Sequence, residues 1–266
     1  MYHQLYLISP KIQSNFLKAD KKLGQHFLVD ESARQQIASL ILSGALSNNV
    51  LEIGPGMGAI TQLLMPTLAD KLTCIELDAR CVSYLHAKMP SLKIRHEDFL
   101  SSDYIDSISE ELLVCGNFPY NISTEIVFKV LEHFVKIPMV VGMFQKEVAY
   151  RLAAKSGSKV YGITSVLAQF FYDIEINIVL PPQAFSPPPQ VESAVITMVR
   201  KSVIPHDISY KNLSILVKTA FNQRRKMLRN ALKNLHLDEG LIQRYGTMRA
   251  EQLTLVDYCT IAKTMS

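Results

Sequence analysis

Short apolar runs alternate with amphipathic stretches between Val50 and Arg200, and this alternation restricts the possible folds more than any other feature of the chain. The amphipathic stretches have the spacing of helices, and the apolar runs have the length of buried strands. Alternating strands and helices pack as a largely parallel sheet with helices on both faces, so the pattern predicts an α/β fold. The predicted strands are Val50–Ile53, Leu72–Glu76, Leu92–Arg95, Leu112–Gly116, Met139–Gln145, Phe170–Val179 and Ala194–Arg200. The predicted helices include Ile60–Leu68, Ala79–Met89, Thr124–Glu132 and Lys146–Ala154.

The last two predicted strands have no long helical stretch between them. A proline-rich loop, Pro181–Pro189, joins them, which predicts a hairpin and hence an antiparallel strand at the end of the sheet. This order resembles the seven-stranded, Rossmann-like sheet of class I methyltransferases more than the dinucleotide-binding fold of dehydrogenases.

The chain changes character after a short proline-containing segment, Lys201–Asp207. Apolar residues at helical spacing predict a small all-α domain at 201–266, behind a main domain at 21–200. From Arg200 onward there are 12 Lys and Arg against 5 Asp and Glu, a net of +7, whereas the preceding residues carry a net of −3. A basic tail on a slightly acidic body predicts contact with a polyanion, and the alternative is a solvated basic surface without a partner. The basic residues predicted opposite the apolar helix face are Lys218, Arg225, Arg229 and Lys233.

Composition argues against several classes of protein. A hydrophobic content of 48% and a charged content of 20% are ordinary for a soluble globular protein, and no apolar run approaches the length of a membrane span. Met1–Asn15 lacks the basic and long apolar regions of a secretory signal, so residues 1–20 are interpreted as a loosely ordered extension. The cysteines show neither metal-ligand nor disulfide-ladder spacing, so we expect reduced thiols, a cytoplasmic location and no metal site. They are Cys74, Cys81, Cys115 and Cys259.

A glycine-rich turn follows the predicted strand Val50–Ile53. Gly54, Gly56 and Gly58 let a ligand approach the backbone closely, and the helix that begins after them favours negative charge at its N-terminus. The spacing is G-x-G-x-G, which differs from the G-x-G-x-x-G of pyrophosphate binders. The turn therefore predicts a ligand site that is not the usual dinucleotide site.

Acidic residues end the next two predicted strands. Glu76 can accept hydrogen bonds from both hydroxyls of a ribose. Asp98 can accept one from an adenine amine, and Phe99 can pack nearby. Since open α/β sheets bind ligands at the carboxyl edge of their strands, these residues and the glycine turn together predict an adenosyl ligand.

The fourth predicted strand runs into the turn Asn117-Phe118-Pro119-Tyr120. The side-chain oxygen of Asn117 and a backbone carbonyl of the turn can accept hydrogen bonds from an exocyclic amine, while the ring of Tyr120 stacks on the heterocycle. An aromatic amine is a poor nucleophile because its lone pair is delocalised, and two acceptors draw that pair back onto nitrogen. Alone, the motif is more typical of an ordinary strand-to-turn junction. Beside an adenosyl site, it indicates S-adenosylmethionine as methyl donor and an amine as acceptor.

Further motifs extend from Lys21 to the C-terminus. Together they resemble the rRNA adenine N6,N6-dimethyltransferases, and most closely the small-subunit enzymes that modify two adjacent adenosines near the 3′ end of 16S rRNA. The motifs are Leu23–Leu28, Glu52–Gly56, Ile75–Asp78, Gly116–Ser123, Gln145–Val148, Tyr161–Gly162, Phe185–Pro189 and Phe221–Lys226.

The resemblance assigns roles on the cofactor side of the site. It implies that His26 and Leu28 close the N-terminal segment over S-adenosylmethionine. It also implies Gly54 as the floor of the site, Glu76 as the ribose clamp and Asp98 as the adenine partner.

The resemblance likewise assigns the catalytic side. Asn117 would lie at the methyl-transfer centre, and Tyr120 and Phe185 would enclose the flipped adenine between their rings. Phe118 stands where the family usually has Leu or Ile, and its implied role is through its backbone carbonyl. Residues 1–20 are longer than the usual start of the family.

The resemblance implies a cytoplasmic monomer that binds 16S rRNA of the small subunit without contacting a membrane. A sister class that methylates one adenine of 23S rRNA is an alternative, and Phe221–Lys226 and Met248–Glu251 favour the small-subunit class. A non-catalytic ribosome-assembly factor is a second alternative, and the complete set of predicted site residues argues against it.

Overall fold

The computed structural model describes residues 17–45 and 48–265, so most of the predicted extension at 1–20 lies outside the described residues. The strands are β1 (Phe27–Leu28), β2 (Asn49–Ile53), β3 (Leu72–Glu76), β4 (Lys93–His96), β5 (Leu112–Asn117), β6 (Met139–Gln145), β7 (Tyr172–Leu180), β8 (Phe185–Ser186) and β9 (Ser193–Arg200). The α-helices are α1 (Glu31–Gly44), α2 (Thr61–Leu68), α3 (Ala79–Lys88), α4 (Tyr104–Ser107), α5 (Ser123–Glu132), α6 (Lys146–Leu152), α7 (Ile163–Phe171), α8 (Tyr210–Asn222), α9 (Leu228–Ala231), α10 (Glu239–Tyr245) and α11 (Leu255–Lys263).

A seven-stranded sheet in the order β4-β3-β2-β5-β6-β9-β7 forms the centre of the molecule. Its strands are parallel except β9, which runs antiparallel to both β6 and β7. The predicted α/β fold with a seven-stranded, class I methyltransferase sheet is therefore confirmed. The carboxyl ends of β2, β3 and β5 meet at one edge, beside the point where the chain changes direction across the sheet, and ligands of open α/β sheets bind at such a point.

The predicted hairpin is present as β7 and β9, but the antiparallel strand is not at the edge of the sheet. β9 lies between β6 and β7, and β7 forms the edge. Burial explains this order, because every residue from Ser193 to Met198 is buried. β7 carries the acidic residues Asp173 and Glu175 and is largely solvent-accessible, which suits an edge strand.

The helix α7 is absent from the helices predicted above, and the strand predicted to begin at Phe170 begins at Tyr172. Nearly all faces of α7 are buried, including Ser165, Val166 and Leu167. Its apolar residues fall at helical spacing, so the helix was readable from the pattern; its last residues, Phe170 and Phe171, were instead assigned to the strand that follows.

The apolar pattern predicted a single helical stripe through the basic C-terminal segment, and the structure breaks it. The helix α8 ends at Asn222, and α9 begins at Leu228. The backbone N–H groups of Leu228 and Arg229 donate to the carbonyls of Met248 and Gly246, so contacts with a later segment turn the chain. The four predicted basic residues therefore do not share one helix face, which corrects that expectation.

The C-terminal helices nevertheless share a continuous apolar core with the sheet. Leu213, Leu216 and Val217 of α8 belong to the same buried cluster as Phe171 of α7. The ring of Phe171 also lies 5.0 Å from that of Tyr210, centroid to centroid. The basic segment is thus packed directly against the sheet's helical layer.

Candidate active site

A cavity of about 680 Å³ opens at the carboxyl ends of β2, β3 and β5, a volume typical of a small-molecule site. Sequence reasoning named thirteen candidate site residues, and all except Gly58 and Phe185 line this cavity. The predicted residues that line it are His26, Leu28, Gly54, Gly56, Glu76, Asp98, Phe99, Asn117, Phe118, Pro119 and Tyr120.

The glycine turn forms one wall of the cavity and has a backbone that side chains rarely tolerate. Gly54 and Gly56 have φ of +65° and +57°, in the left-handed region that favours glycine. A Cβ atom on Gly56 would lie 3.1 Å from the ring of Phe27. The turn is also tied to β3, because Gly54 N–H donates to the carbonyl of Ile75 over 2.9 Å.

Glu76 places a buried carboxylate at the end of β3. One of its oxygens accepts from Gly56 N–H and the other from Asp78 N–H, both over 2.9 Å. Burial raises the pKa of Glu76, while these backbone hydrogen bonds oppose the rise. A carboxylate can accept about four hydrogen bonds, so each oxygen keeps the capacity to accept from a ribose hydroxyl. This arrangement fits the ribose of an adenosyl ligand.

The loop after β4 supplies the next wall and is braced from below. One oxygen of Asp98 accepts from Leu100 N–H over 2.9 Å, which leaves the other for a ligand. Lys129 of α5 donates to the carbonyl of Phe99 over 2.7 Å, and its ammonium lies 4.9 Å from the Phe99 ring centroid. The loop that carries Asp98 and Phe99 is thus held in place by the helix α5.

Asn117 is the last residue of β5, and its amide has a fixed direction. Its Nδ2 donates to the carbonyl of His26 over 2.8 Å, which leaves Oδ1 as the acceptor for a ligand. The next residue, Phe118, is buried and packs edge-on against Phe144 with ring centroids 5.1 Å apart. Gly142 of β6 provides the space, since a Cβ atom there would lie 2.4 Å from the Phe118 ring.

Tyr120 and Phe185, predicted to enclose a flipped adenine, have different surroundings. The hydroxyl of Tyr120 shares a hydrogen bond of 2.5 Å with that of Ser193, and its ring stacks on His26 with centroids 5.5 Å apart. Phe185 is only 3% exposed and belongs to the buried cluster that contains Leu28. In this conformation the aromatic residue facing Tyr120 is His26.

The N-terminal segment Gly24–Val29 covers the cavity and connects its two sides. β1 within this segment pairs with β8, and His26 Nδ1 lies 2.8 Å from the carbonyl oxygen of Pro187. On the cofactor side, Gln25 Nε2 donates to the carboxylate of Asp78 over 2.8 Å. The segment therefore contacts both the proposed base side and the proposed cofactor side.

Sequence reasoning assigned no function to Gln25, Asp78 or Ser193. Asp78 caps α3 and also binds Arg80, whose guanidinium holds the pKa of that carboxyl well below its usual range. An Asp directly before a helix is a readable cap signal. The contacts of Gln25 with Asp78, and of Ser193 with Tyr120, span 53 and 73 positions of the chain and leave no local pattern.

A second buried acid lies beside the glycine turn. Glu52 in β2 is 1% exposed and accepts from the hydroxyl of Thr61 over 2.7 Å, with the Cys74 thiol at 3.7 Å. Burial raises the pKa of Glu52 to about 7, and the hydrogen bond from Thr61 opposes the rise. Glu52 thus anchors α2, the helix that follows the turn, to the strand that precedes it.

The sheet order, the glycine turn and the strand-end acids are those of a class I methyltransferase that uses S-adenosylmethionine. The family model for ribosomal RNA adenine dimethylase matches residues 16–266, and the chain belongs to that family. It is accordingly an rRNA adenine dimethyltransferase that depends on S-adenosylmethionine. Among residues 17–45 and 48–265, no helix has both the length and the apolar character needed to cross a bilayer.

Relatives of high similarity carry one name. Ribosomal RNA small subunit methyltransferase A of Cytophaga hutchinsonii is 44% identical over 257 residues, which cover 94% of this chain and 98% of the relative. The protein of the same name from Parabacteroides distasonis is 49% identical over 221 residues, or 82% of each chain.

Solved structures resemble the fold at lower identity. A dimethyladenosine transferase from Plasmodium falciparum superposes with a TM-score of 0.73 at 22% identity, covering 89% of this chain and 96% of the other. The 23S rRNA methyltransferase ErmE gives 0.67 at 22% identity, covering 90% and 99%. Both confirm the fold.

Proposed function

We propose that the protein dimethylates N6 of two adjacent adenosines near the 3′ end of 16S rRNA. The observation that carries the proposal is the fixed amide of Asn117, which presents Oδ1 to the same cavity as the carboxylate of Glu76. The oxygen proposed to accept hydrogen bonds from the target amine and the carboxylate proposed to hold the ribose thus lie in one cavity. The names of relatives at 44% and 49% identity support the small subunit as the source of the rRNA.

On the cofactor side, the residues present suit S-adenosylmethionine. When bound, it would supply the methyl group as an electrophile. Gly54 and Gly56 leave the backbone open to close approach, and Glu76 has acceptor capacity for both ribose hydroxyls. Asp98 keeps one carboxylate oxygen for the adenine amine, beside the buried ring of Phe99.

On the acceptor side, Asn117 Oδ1 and the backbone carbonyl of Phe118 accept the two hydrogens of the target amine. These contacts draw the lone pair back onto N6 and stabilise the positive charge that develops on nitrogen. Because donation to His26 fixes the amide, Asn117 does not have to reorient when the charge forms. Such preorganised polar groups are the main means by which enzymes stabilise developing charge.

Tyr120 gives the flipped base one stacking face. Phe185 is proposed as the second face, and because its ring is buried in the same cluster as Leu28, it has to leave that cluster to reach a base. Extruding a base from a stack costs a few kcal/mol, which contacts of this kind recover.

Two alternatives predict different products. A 23S enzyme shares the fold, but the likeness to ErmE is at 22% identity and supports the fold alone. An rRNA-binding assembly factor without activity requires neither the amide of Asn117 nor the clamp of Glu76. We further propose that the protein acts as a monomer in the cytoplasm, where free thiols such as those of the four cysteines persist.

The test is methyl transfer from labelled S-adenosylmethionine to small subunits from a strain that lacks the modification. We expect label on two adjacent adenosines of 16S rRNA, and none on subunits that already carry the modification. Label on 23S rRNA would favour the sister class. Tight subunit binding without transfer would favour the assembly factor.

A further inference from the structure

Ser193 joins the end of the sheet to the wall of the cavity. It is the first residue of β9, is fully buried, and shares a 2.5 Å hydrogen bond with the hydroxyl of Tyr120. Its backbone pairs with Gln145 of β6 on one side and with Leu180 of β7 on the other. Three neighbouring strands therefore fix the position of the Ser193 hydroxyl.

Tyr120 itself lies outside the sheet, in the turn after β5, and its ring lines the cavity. Within the part of the chain that the structure describes, the ring stacks on His26 at a centroid distance of 5.5 Å and an angle of 27°. His26 is itself held by Asn117 and Pro187, but a stacking contact does not engage the Tyr120 hydroxyl. The hydrogen bond to Ser193 ties the far end of the side chain directly to the central sheet.

We propose that Ser193 is a positioning residue that fixes the place of the Tyr120 ring in the cavity wall, and through it the stacking of the target adenine. This inference rests on the proposed function, which places the adenine against Tyr120. A tyrosine rotates about two side-chain bonds, and its hydroxyl oxygen lies on the axis of the second. A hydrogen bond at that oxygen therefore restrains the first rotation, which swings the ring towards or away from the cavity. A ring held at the cavity wall is available for stacking without first being ordered.

Burial raises the pKa of Tyr120, so its hydroxyl remains protonated and able to share this hydrogen bond across the physiological pH range. The hydroxyls of Tyr120 and Ser193 meet in a partly buried place. Breaking their hydrogen bond would leave each without this partner, which costs free energy. The contact is therefore expected to persist while the base enters and leaves.

The first test is a double-mutant cycle with Ser193→Ala and Tyr120→Phe, read by single-turnover methyl transfer to unmethylated small subunits. Each variant removes the same hydrogen bond, so each should lose about fivefold in rate, the scale of one ordinary hydrogen bond. The double variant should lose no more than Tyr120→Phe alone. Losses that multiply would overturn the proposal.

A matched control lies on the same strand. Thr197 of β9 also has a buried hydroxyl, and it donates to Asn177 over 2.7 Å. Thr197→Val should lower the melting temperature by about as much as Ser193→Ala but leave the methyl-transfer rate unchanged. An equal loss of rate in both variants would assign Ser193 a merely structural role.

A second readout needs no RNA and separates this proposal from the proposed function. Tyrosines labelled with 3-fluorotyrosine give ¹⁹F resonances, and the resonance absent from Tyr120→Phe belongs to Tyr120. Ser193→Ala should shift or broaden that resonance, whereas Thr197→Val should leave it as in the wild type. The affinity for S-adenosylmethionine should be the same in both variants as in the wild type. An unchanged resonance would overturn the proposal even if the wild type methylates rRNA. A wild type that transfers no methyl groups would instead contradict the proposed function.

Discussion

Asn117 shows how a single hydrogen bond decides the chemistry that a residue offers. Donation of Nδ2 to the His26 carbonyl leaves Oδ1 facing the cavity. We expect Asn117→Ala to lower methyl transfer by about 10²–10³, the scale for removing one preorganised polar partner, with little change in S-adenosylmethionine affinity. Single-turnover kinetics and calorimetry check the two halves of this prediction. Asn177→Ala, which removes an amide from β7 outside the cavity, is the control, and a nearly normal rate for Asn117→Ala would contradict the role.

Glu52 leads to a prediction about stability. Its pKa in the folded protein, about 7, lies above the usual 4.5, so between these values the folded state holds a proton that the unfolded state has lost. The free energy of unfolding therefore falls as pH rises through this window, by up to about 3 kcal/mol. Glu52→Gln keeps an acceptor for Thr61 and removes this contribution. Denaturation of both proteins from pH 4 to 8 should show a difference that grows with pH, and parallel curves would refute it.

Residues at strand ends were predictable from the sequence because the signal is local. Glu76 and Asn117 end buried apolar strands, Asp98 follows the short, largely exposed strand β4, and parallel strands bring their carboxyl ends to one edge. Ser193 was not predictable, because its partner Tyr120 is 73 positions away. Contacts of that kind are decided by packing, which a single sequence does not display.

At the scale of elements, Gly142 and Phe118 form a matched pair on neighbouring strands. A Cβ atom at Gly142 would lie 2.4 Å from the ring of Phe118 and 2.7 Å from that of Phe144. We expect Gly142→Ala to destabilise the protein by about 1–3 kcal/mol, the usual cost of overpacking a core, and to slow methyl transfer by displacing the turn. Phe118→Leu, which removes the ring that lies nearest to the added methyl group, should recover part of both losses in the double variant. Urea denaturation checks the coupling, and additive effects of the two changes would contradict it.

Elements were predicted well where hydrophobic pattern and burial agree. β2, β3, β5 and β6 are short apolar runs, and the predicted helices between them keep one exposed face. The helix α7 was missed although its apolar residues have helical spacing, because Phe170 and Phe171 were assigned to the strand that follows. The break between α8 and α9 had no signal in the sequence, since hydrogen bonds to Met248 and Gly246 produce it.

At the scale of the whole molecule, the excess of positive charge after Arg200 is a feature of the sequence, but its arrangement is not. Of the two neighbouring arginines in the motif Phe221–Lys226, Arg224 is held by contacts within the fold, although its side chain is 37% exposed. Its guanidinium donates to the carbonyl of Lys159 over 2.8 Å and lies 3.5 Å from the carboxylate of Glu251. Arg225 is exposed to solvent. The two arginines of this motif therefore differ: Arg224 supports the fold, and Arg225 is a candidate contact for RNA.

The exposed arginines are the place to test rRNA binding. Phosphate contacts release counterions, so the logarithm of affinity falls linearly with the logarithm of salt concentration. We expect Arg225→Gln with Arg229→Gln to weaken binding to small subunits and to reduce that slope by about 1.4–1.8, the contribution of two fully engaged phosphates. S-adenosylmethionine affinity should not change, because neither residue lines the cavity.

The control for this charge change is Lys93→Gln with Arg95→Gln, which removes two positive charges from β4, an edge strand of the sheet. Both pairs lower the net charge equally, so a general electrostatic attraction would reduce the two slopes alike. A specific contact reduces only the slope of the Arg225 and Arg229 variant, because screening leaves distant charges little influence at physiological salt. If that slope stays unchanged while the wild type still binds, the RNA lies along another surface. The basic stretch from 146 to 159, which follows β6 in the chain, would then be the next segment to substitute.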